Sequence, residues 1–283
     1  MPQFDCLNSN NQNLKHKVVL LNYANNVFKK SQKLNSKTAK YIGLFDEIRS
    51  YNPKDIDLNF RKINKKILSQ KRGNGYWLWK PYFIKKVLDE LNFGEFLFYC
   101  DSGSYFTNSI RDLVDLSIAT KQDIIPFELT HLEGEWTKRD AFVFMDCDSE
   151  RFYSTYQRLG GFVLIRKSKL SIEFVDEWLN YAQDERILTD INNQCGLDNY
   201  SDFKEHRHDQ SVFSLLTKKY KLKAYRDPSQ FGDILFQSYS ESTYDTFVHL
   251  TRKRNFPIHI RMKKYLSRKK HFLLNLFSNK SNK

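Results

Sequence analysis

Short apolar runs alternate along the chain with stretches of helical spacing. Residues 17–24 (KVVLLNYA) are β-branched and leucine-rich and end in polar positions, the pattern of a buried strand. A polar helix is expected over 26–34. Residues 41–53 read as a second strand with an exit loop stopped by Pro53. Residues 58–70 read as one helix presenting Phe60, Ile63, Ile67 and Leu68 on a single face. Pro81 sits where the next helix can start, and 96–100 (FLFYC) is an apolar strand that stops abruptly at Asp101. Further strands are expected over 124–129 and 161–167, with helices over 171–183 and 208–220, and Asp140 reads as the N-cap of a short helix. Strands alternating with helices indicate an α/β domain.

The 283 residues suit one large domain with a short appendage. Residues 1–15 are polar and read as a flexible terminus, 16–255 as the domain, and 256–283 as a tail. The net charge of +13 changes this picture only at the tail. Residues 252–283 hold eleven Lys and Arg and no acid, leaving 35 basic against 33 acidic residues elsewhere. A nearly neutral body speaks against nucleic-acid binding by the domain and assigns the tail an anionic partner. Met262, Tyr265, Leu266, Leu273, Leu276 and Phe277 recur at near-helical spacing among the basic residues. This reads as an amphipathic helix lying on an anionic membrane surface, or as a helix docked on the body with a solvated basic face. Cys6, Cys100, Cys147 and Cys195 have no metal or disulfide spacing and fit a reducing cytosol. No apolar stretch reads as a signal peptide or a membrane span. The expected location is cytoplasmic, peripheral on the inner face of the cytoplasmic membrane.

Five segments hold candidate chemistry. Asp101, Ser102 and Gly103 stand at the end of an apolar strand, where open α/β sheets bind ligands. A carboxylate there can hold Mn²⁺ or Mg²⁺ and through it a diphosphate, or it can simply close a turn. In RGNGYWLWKP, Arg72, Tyr76, Trp77 and Lys80 can stack on a base or sugar and pair with phosphate, or can form a core cluster with snorkelling cations. HRHDQS places His208, Asp209 and Gln210 ahead of a helix, as a base with its neighbours or as a capped, solvated helix start. VHLTRKRN offers His249 as a metal ligand and Arg252 and Arg254 as cations for a diphosphate, or a plain basic surface. Trp136, with Gly160 and Gly161 entering a strand, can meet a sugar face.

The succession GYWLWKP, LFYCDSGS, EWTKRD, QRLGGFVLIRK, HRHDQSVFSLL and VHLTRKRN resembles bacterial capsule and O-antigen glycosyltransferases of the GT-A type, related to glycogenin-like and Och1-like families. The resemblance covers residues 17–255. It implies a Rossmann-like, mixed and mostly parallel sheet flanked by helices. It further implies a nucleotide-diphosphate sugar donor and a growing surface glycan, or a lipid-linked glycan, as acceptor. It maps the DxD metal motif onto Asp101-Ser102-Gly103, where Gly103 replaces the second carboxylate and His249 is the candidate to complete a metal site. It places Tyr23 and Ala24 at the nucleotide, and Asp209 and Gln210 near the anomeric carbon as catalytic residues. Arg72, Tyr76, Trp77, Lys80, Arg252 and Arg254 join the donor side; Trp136, Gly160, Gly161 and His208 join the acceptor side. The competing functions are a metal-dependent nucleotide-sugar hydrolase using Asp101 and Asp209, and a nucleic-acid-binding protein acting through its tail.

Overall fold

The computed structural model describes residues 16–232, 239, 242 and 244–251. The expectations for residues 1–15, for Arg252 and Arg254, and for the helix over 256–283 lie outside the described residues.

A five-stranded sheet forms the centre, built from β1 (Val18–Tyr23), β2 (Glu47–Tyr51), β3 (Phe96–Cys100), β5 (Ile124–Ile125) and β8 (Phe162–Arg166) in the order β2-β1-β3-β8-β5. β1 pairs in parallel with both β2 and β3, while β8 runs antiparallel to β3 and to β5. Four strands therefore share one direction, giving the expected mixed, mostly parallel sheet. The two remaining pairs are small. β4 (Ser104–Phe106) pairs with β9 (Val248–Leu250), and β6 (Glu128–Leu132) pairs with β7 (Tyr156–Arg158).

The near-continuous apolar strands are explained by burial on both faces. Alternate residues point to opposite sides. Val19, Leu21, Leu97, Tyr99, Val163 and Ile165 face a layer containing the helices Trp79–Glu90, Lys169–Ala182 and Asp209–Lys219. Val18, Leu20, Phe96, Phe98, Phe162 and Leu164 face the helix Arg111–Thr120 together with Phe45, Phe106, Phe247 and Val248. Ser168 caps the Lys169–Ala182 helix through a reciprocal box with Ser171.

Four local expectations need correction. Residues 124–129, expected as one strand, divide between β5 in the central sheet and β6 in the β6–β7 pair. Residues 39–43 form a π-helical turn, and β2 begins only at Glu47, because Ala39 and Gly43 are buried while Tyr41 and Ile42 point outward. The expected helix over 58–70 is broken at Asn64, so Ile67 is buried but Ile63 is 69% exposed. Asp140 is not a cap: it lies inside the helix Arg139–Phe144, fully buried, accepting backbone N–H groups from Gln194 and Cys195 at 2.8–2.9 Å and pairing with Lys138 at 3.2 Å. Burial works against its ionised form, yet those N–H groups and Lys138 outweigh it and hold the carboxyl below the usual range.

Candidate active site

β3 delivers Asp101 to the edge of the sheet. The Asp101 backbone N–H still bonds the Gly161 carbonyl at 2.9 Å, so the residue continues the β3–β8 ladder by one step. Tyr99 lies on the same face two residues earlier, and its phenol donates to Asp101 Oδ1 at 2.5 Å. Burial, reinforced by Asp101, pushes the Tyr99 phenol far up, so it remains a donor. Asp101 Oδ2 faces Gly161, where a Cβ would sit 3.4 Å from it. Ser102 is buried and donates to the Tyr23 carbonyl at 2.6 Å, tying the Asp101 turn to the end of β1.

Behind this carboxylate lies a second one. Asp209 opens the Asp209–Lys219 helix, only 3% exposed, in an ion pair with Lys80, which is equally buried on the Trp79–Glu90 helix. Lys80 Nζ also donates to the Gly160 carbonyl at 2.8 Å and lies 5.1 Å from the Tyr99 ring centre. Burial raises the Asp209 carboxyl to about 6; Lys80 pulls it down and Asp101 pushes it up. Gln210 closes the floor, accepting the Gly160 N–H at 3.0 Å and donating to Gln157 at 2.7 Å. A Cβ on Gly160 would meet Gln210 Cβ at 2.9 Å, so only glycine lets this strand pass so close to the helix start.

The RGNGYWLWKP segment builds a neighbouring wall by an unusual route. Gly73, Asn74, Gly75, Tyr76 and Trp77 all have φ between 49° and 94°, a left-handed turn. Gly73 and Gly75 accept this freely; Asn74, Tyr76 and Trp77 do so at about 1–2 kcal/mol each. The turn is held by the Trp79 indole N–H on the Gly73 carbonyl at 2.9 Å and by Asn74 donating to the Tyr23 phenol. It presents Tyr76 and Trp77 to the His208 ring at 4.8 and 5.6 Å between centres. His208 itself stands at φ 54°, ψ −119°, a strained conformation outside glycine. Its Nδ1 lies 2.9 Å from the Leu188 carbonyl, which makes Nδ1 the protonated nitrogen. Nε2 is then a buried lone pair with no hydrogen-bond partner, 3.7 Å from Asp190. Burial depresses the His208 imidazole below its ordinary value, which favours the neutral ring. Arg72 bridges Asp190, at 3.2 Å, and Glu205 at the half-exposed rim.

The structure thus gathers two neighbourhoods. Tyr23, Lys80, Asp101, Ser102, Gly160, Gly161, Asp209 and Gln210 form one, and Arg72, Tyr76, Trp77 and His208 form the other. Gly161, expected on the acceptor side, adjoins Asp101, and Tyr76 and Trp77, expected on the donor side, adjoin His208. Two rings expected at the site, Tyr23 at the nucleotide and Trp136 at a sugar face, are already engaged. The Tyr23 ring is buried and stacked on Trp79 at 3.8 Å, so β1 offers the site its backbone and not that ring, and Ala24 is buried beside it. One neighbour of half-buried Trp136 is the Arg207 guanidinium, 4.1 Å from the ring centre. Asn74, Tyr99 and Gln157 lie within the motifs RGNGYWLWKP, LFYCDSGS and QRLGGFVLIRK, which give them no individual role; Asp190 and Glu205 lie outside every motif.

His249 lies on β9 opposite Tyr105, their rings 5.2 Å apart, and Thr251 just beyond it bonds the Gly103 carbonyl through both its N–H and hydroxyl at 2.8 and 2.9 Å. Among the described residues no group of three or more His, Cys, Asp or Glu side chains could hold a metal ion. What the chain offers is one sheet-edge carboxylate, a donor set that fits a cation drawing most of its ligands from phosphate and water.

No family model matches this sequence, and no curated protein matches it. Among solved structures the chain is similar to mouse xyloside xylosyltransferase 1 in its apo form, with a TM-score of 0.44 and 10% identity over 83% of this chain and 97% of that one. A likeness of that size leaves the functional argument to the residues.

Proposed function

We propose that the chain is a GT-A-type glycosyltransferase that moves a sugar from a nucleoside diphosphate to a growing surface glycan of capsule or lipopolysaccharide type. The observation that carries this reading is Asp101, a half-exposed carboxylate at the end of the central strand β3 with Gly161, just ahead of β8, against it. The position is where α/β sheets receive ligands, and the ordered run of motifs from GYWLWKP to VHLTRKRN supports it from the sequence side.

In this reading Asp101 binds the donor diphosphate through Mn²⁺ or Mg²⁺, with His249 the candidate to assist. Such a cation, when bound, neutralises charge developing on the leaving diphosphate. Tyr99 fixes the Asp101 carboxylate by occupying Oδ1. Asp209, Lys80 and Gln210 hold the Gly160–Gly161 backbone in place and set the charge beneath Asp101. Asp209 lies too deep, in this state, to take a proton from an acceptor directly, so its catalytic role is to favour positive charge above it. His208, as deeply buried as Asp209 in this state, serves the acceptor side by positioning the Tyr76 and Trp77 rings, which would line a sugar. Arg252 and Arg254 join as cations for the diphosphate, and the tail over 256–283 as a membrane contact suited to a lipid-linked acceptor.

The test is product analysis with a panel of nucleotide sugars, with and without glycan acceptors. Sugar found on an acceptor supports transfer. Full-rate release of free sugar without acceptor would replace it with the hydrolase reading.

A further inference from the structure

The helix Lys29–Thr38 and the turn after it show a surface that the active site does not use. Residues 25–44 contain Lys29, Lys30, Lys33, Lys37 and Lys40 and no acidic residue. All five lysines are exposed, and none forms an ion pair within the described residues. Besides Val27, four large apolar side chains share this stretch: Leu34, Tyr41, Ile42 and Leu44 are 43%, 67%, 42% and 50% exposed. Positions 30, 33, 34, 37 and 41 fall on one face at helical spacing. The opposite face is anchored. Asn35 is buried and donates to the Ser104 carbonyl and hydroxyl at 3.2 Å, while accepting from Asn22 at 2.8 Å. The left-handed Leu44, at φ 58°, turns the chain back into the body, where Phe45 is buried.

We infer that this face of Lys30, Lys33, Leu34, Lys37 and Tyr41, together with the exposed Ile42 and Leu44 of the turn that follows, seats the protein on an anionic lipid surface. The lysines supply attraction to acidic headgroups, and the leucines, isoleucine and tyrosine are the apolar side chains that enter the headgroup boundary. Charge decides for an anionic surface, and an exposed aliphatic set favours lipid over nucleic acid, whose contacts are mostly made by cationic and polar side chains to phosphate and sugar. The inference is independent of the chemistry proposed for Asp101. Because Asn35 touches Ser104, the lipid-facing helix lies one layer behind the Asp101 turn.

Co-sedimentation of the full chain with vesicles of phosphatidylcholine and phosphatidylserine, at near-physiological salt, tests this. Two variants are compared with the unchanged chain: Lys30→Ser/Lys33→Ser/Lys37→Ser, and Leu34→Ser/Tyr41→Ser/Ile42→Ser/Leu44→Ser. All seven positions are exposed, and an unchanged thermal transition confirms that the fold is kept. Removing three charges is expected to weaken partition by about a hundredfold, and removing the apolar set by at least about tenfold with the lysines intact. Wild-type partition in either variant overturns the inference and moves membrane contact elsewhere, as does absence of binding to the acidic vesicles. Binding to a single-stranded oligonucleotide that needs the lysines but not the apolar set, with no matching loss on vesicles, overturns it in favour of a nucleic-acid surface.

Discussion

Lys80→Met removes the ammonium that faces the buried Asp209 carboxylate, and its effect on stability should depend on pH in a calculable way. In the folded chain Asp209 titrates near 6 against an ordinary value of 3.8. Because the folded value is raised, the group's contribution to stability is full below 3.8 and is lost as the pH rises through about 6. At about 1.36 kcal/mol per unit, ionising Asp209 destabilises the native chain by about 3 kcal/mol, and the loss then levels off. Without Lys80 the carboxyl has no reason to ionise at neutral pH, and the loss keeps growing. Between pH 6 and about 7.5 it adds about 2 kcal/mol. Near pH 5 Asp209 is largely protonated in both proteins, so the deficit there reflects only the lost contact with the Gly160 carbonyl and the lysine stem. Urea unfolding followed by tryptophan fluorescence at about pH 5 and about pH 7.5 should therefore show the deficit of Lys80→Met widening by about 2 kcal/mol. The double variant Lys80→Met/Asp209→Asn should show no widening. A deficit that is the same at both pH values, or a double variant that widens equally, would refute the reasoning.

Three further outcomes are expected. Gly160→Ala forces its new methyl into Gln210 and should lose about 1–3 kcal/mol in urea unfolding, with transfer reduced more than about tenfold; wild-type activity would remove the close approach from the account. Glu133 is fully buried among Thr137 at 2.6 Å, Gln157 at 3.0 Å and Lys218 at 2.6 Å, so Glu133→Ala should cost about 3–5 kcal/mol by the same measurement, and a loss under about 1 kcal/mol would contradict it. His208→Ala should lower kcat/KM for the acceptor by about ten- to a hundredfold while leaving donor hydrolysis unchanged; equal losses in both would place His208 outside acceptor binding.

The central strands were legible because burial on both faces leaves an uninterrupted apolar run: residues 96–100 match β3 to the residue, and 17–24 and 161–167 bracket β1 and β8 closely. Tyr41 and Ile42 misled because their side chains face outward, and a pattern of hydrophobicity does not tell a core face from an interaction face. The helix over 58–70 misled for a related reason: Asn64 bends its own carbonyl ladder, with its side chain bonding the Phe60 carbonyl at 3.1 Å and Gln183 at 3.1 Å. Within the site, Asp101 was legible from the abrupt end of an apolar strand. The Lys80–Asp209 pair was not, since the partners lie 129 positions apart and each reads locally as an ordinary charge at a helix start. The glycines at 73 and 75 marked a turn but could not show that three non-glycine residues would share its left-handed conformation.

The most direct measurement is the thermal shift of the wild-type chain and of Asp101→Asn with nucleoside diphosphates and nucleotide sugars, with and without Mn²⁺. Saturating ligand at about a hundred times its Kd stabilises by about 2.7 kcal/mol, well within reach of the method. The expected result is that at least one nucleoside diphosphate family raises the transition of the wild-type chain and that Asp101→Asn, melting normally by itself, loses that rise. No rise with any nucleoside diphosphate, or an equal rise in Asp101→Asn, would contradict the assignment of the β3 edge as the donor site.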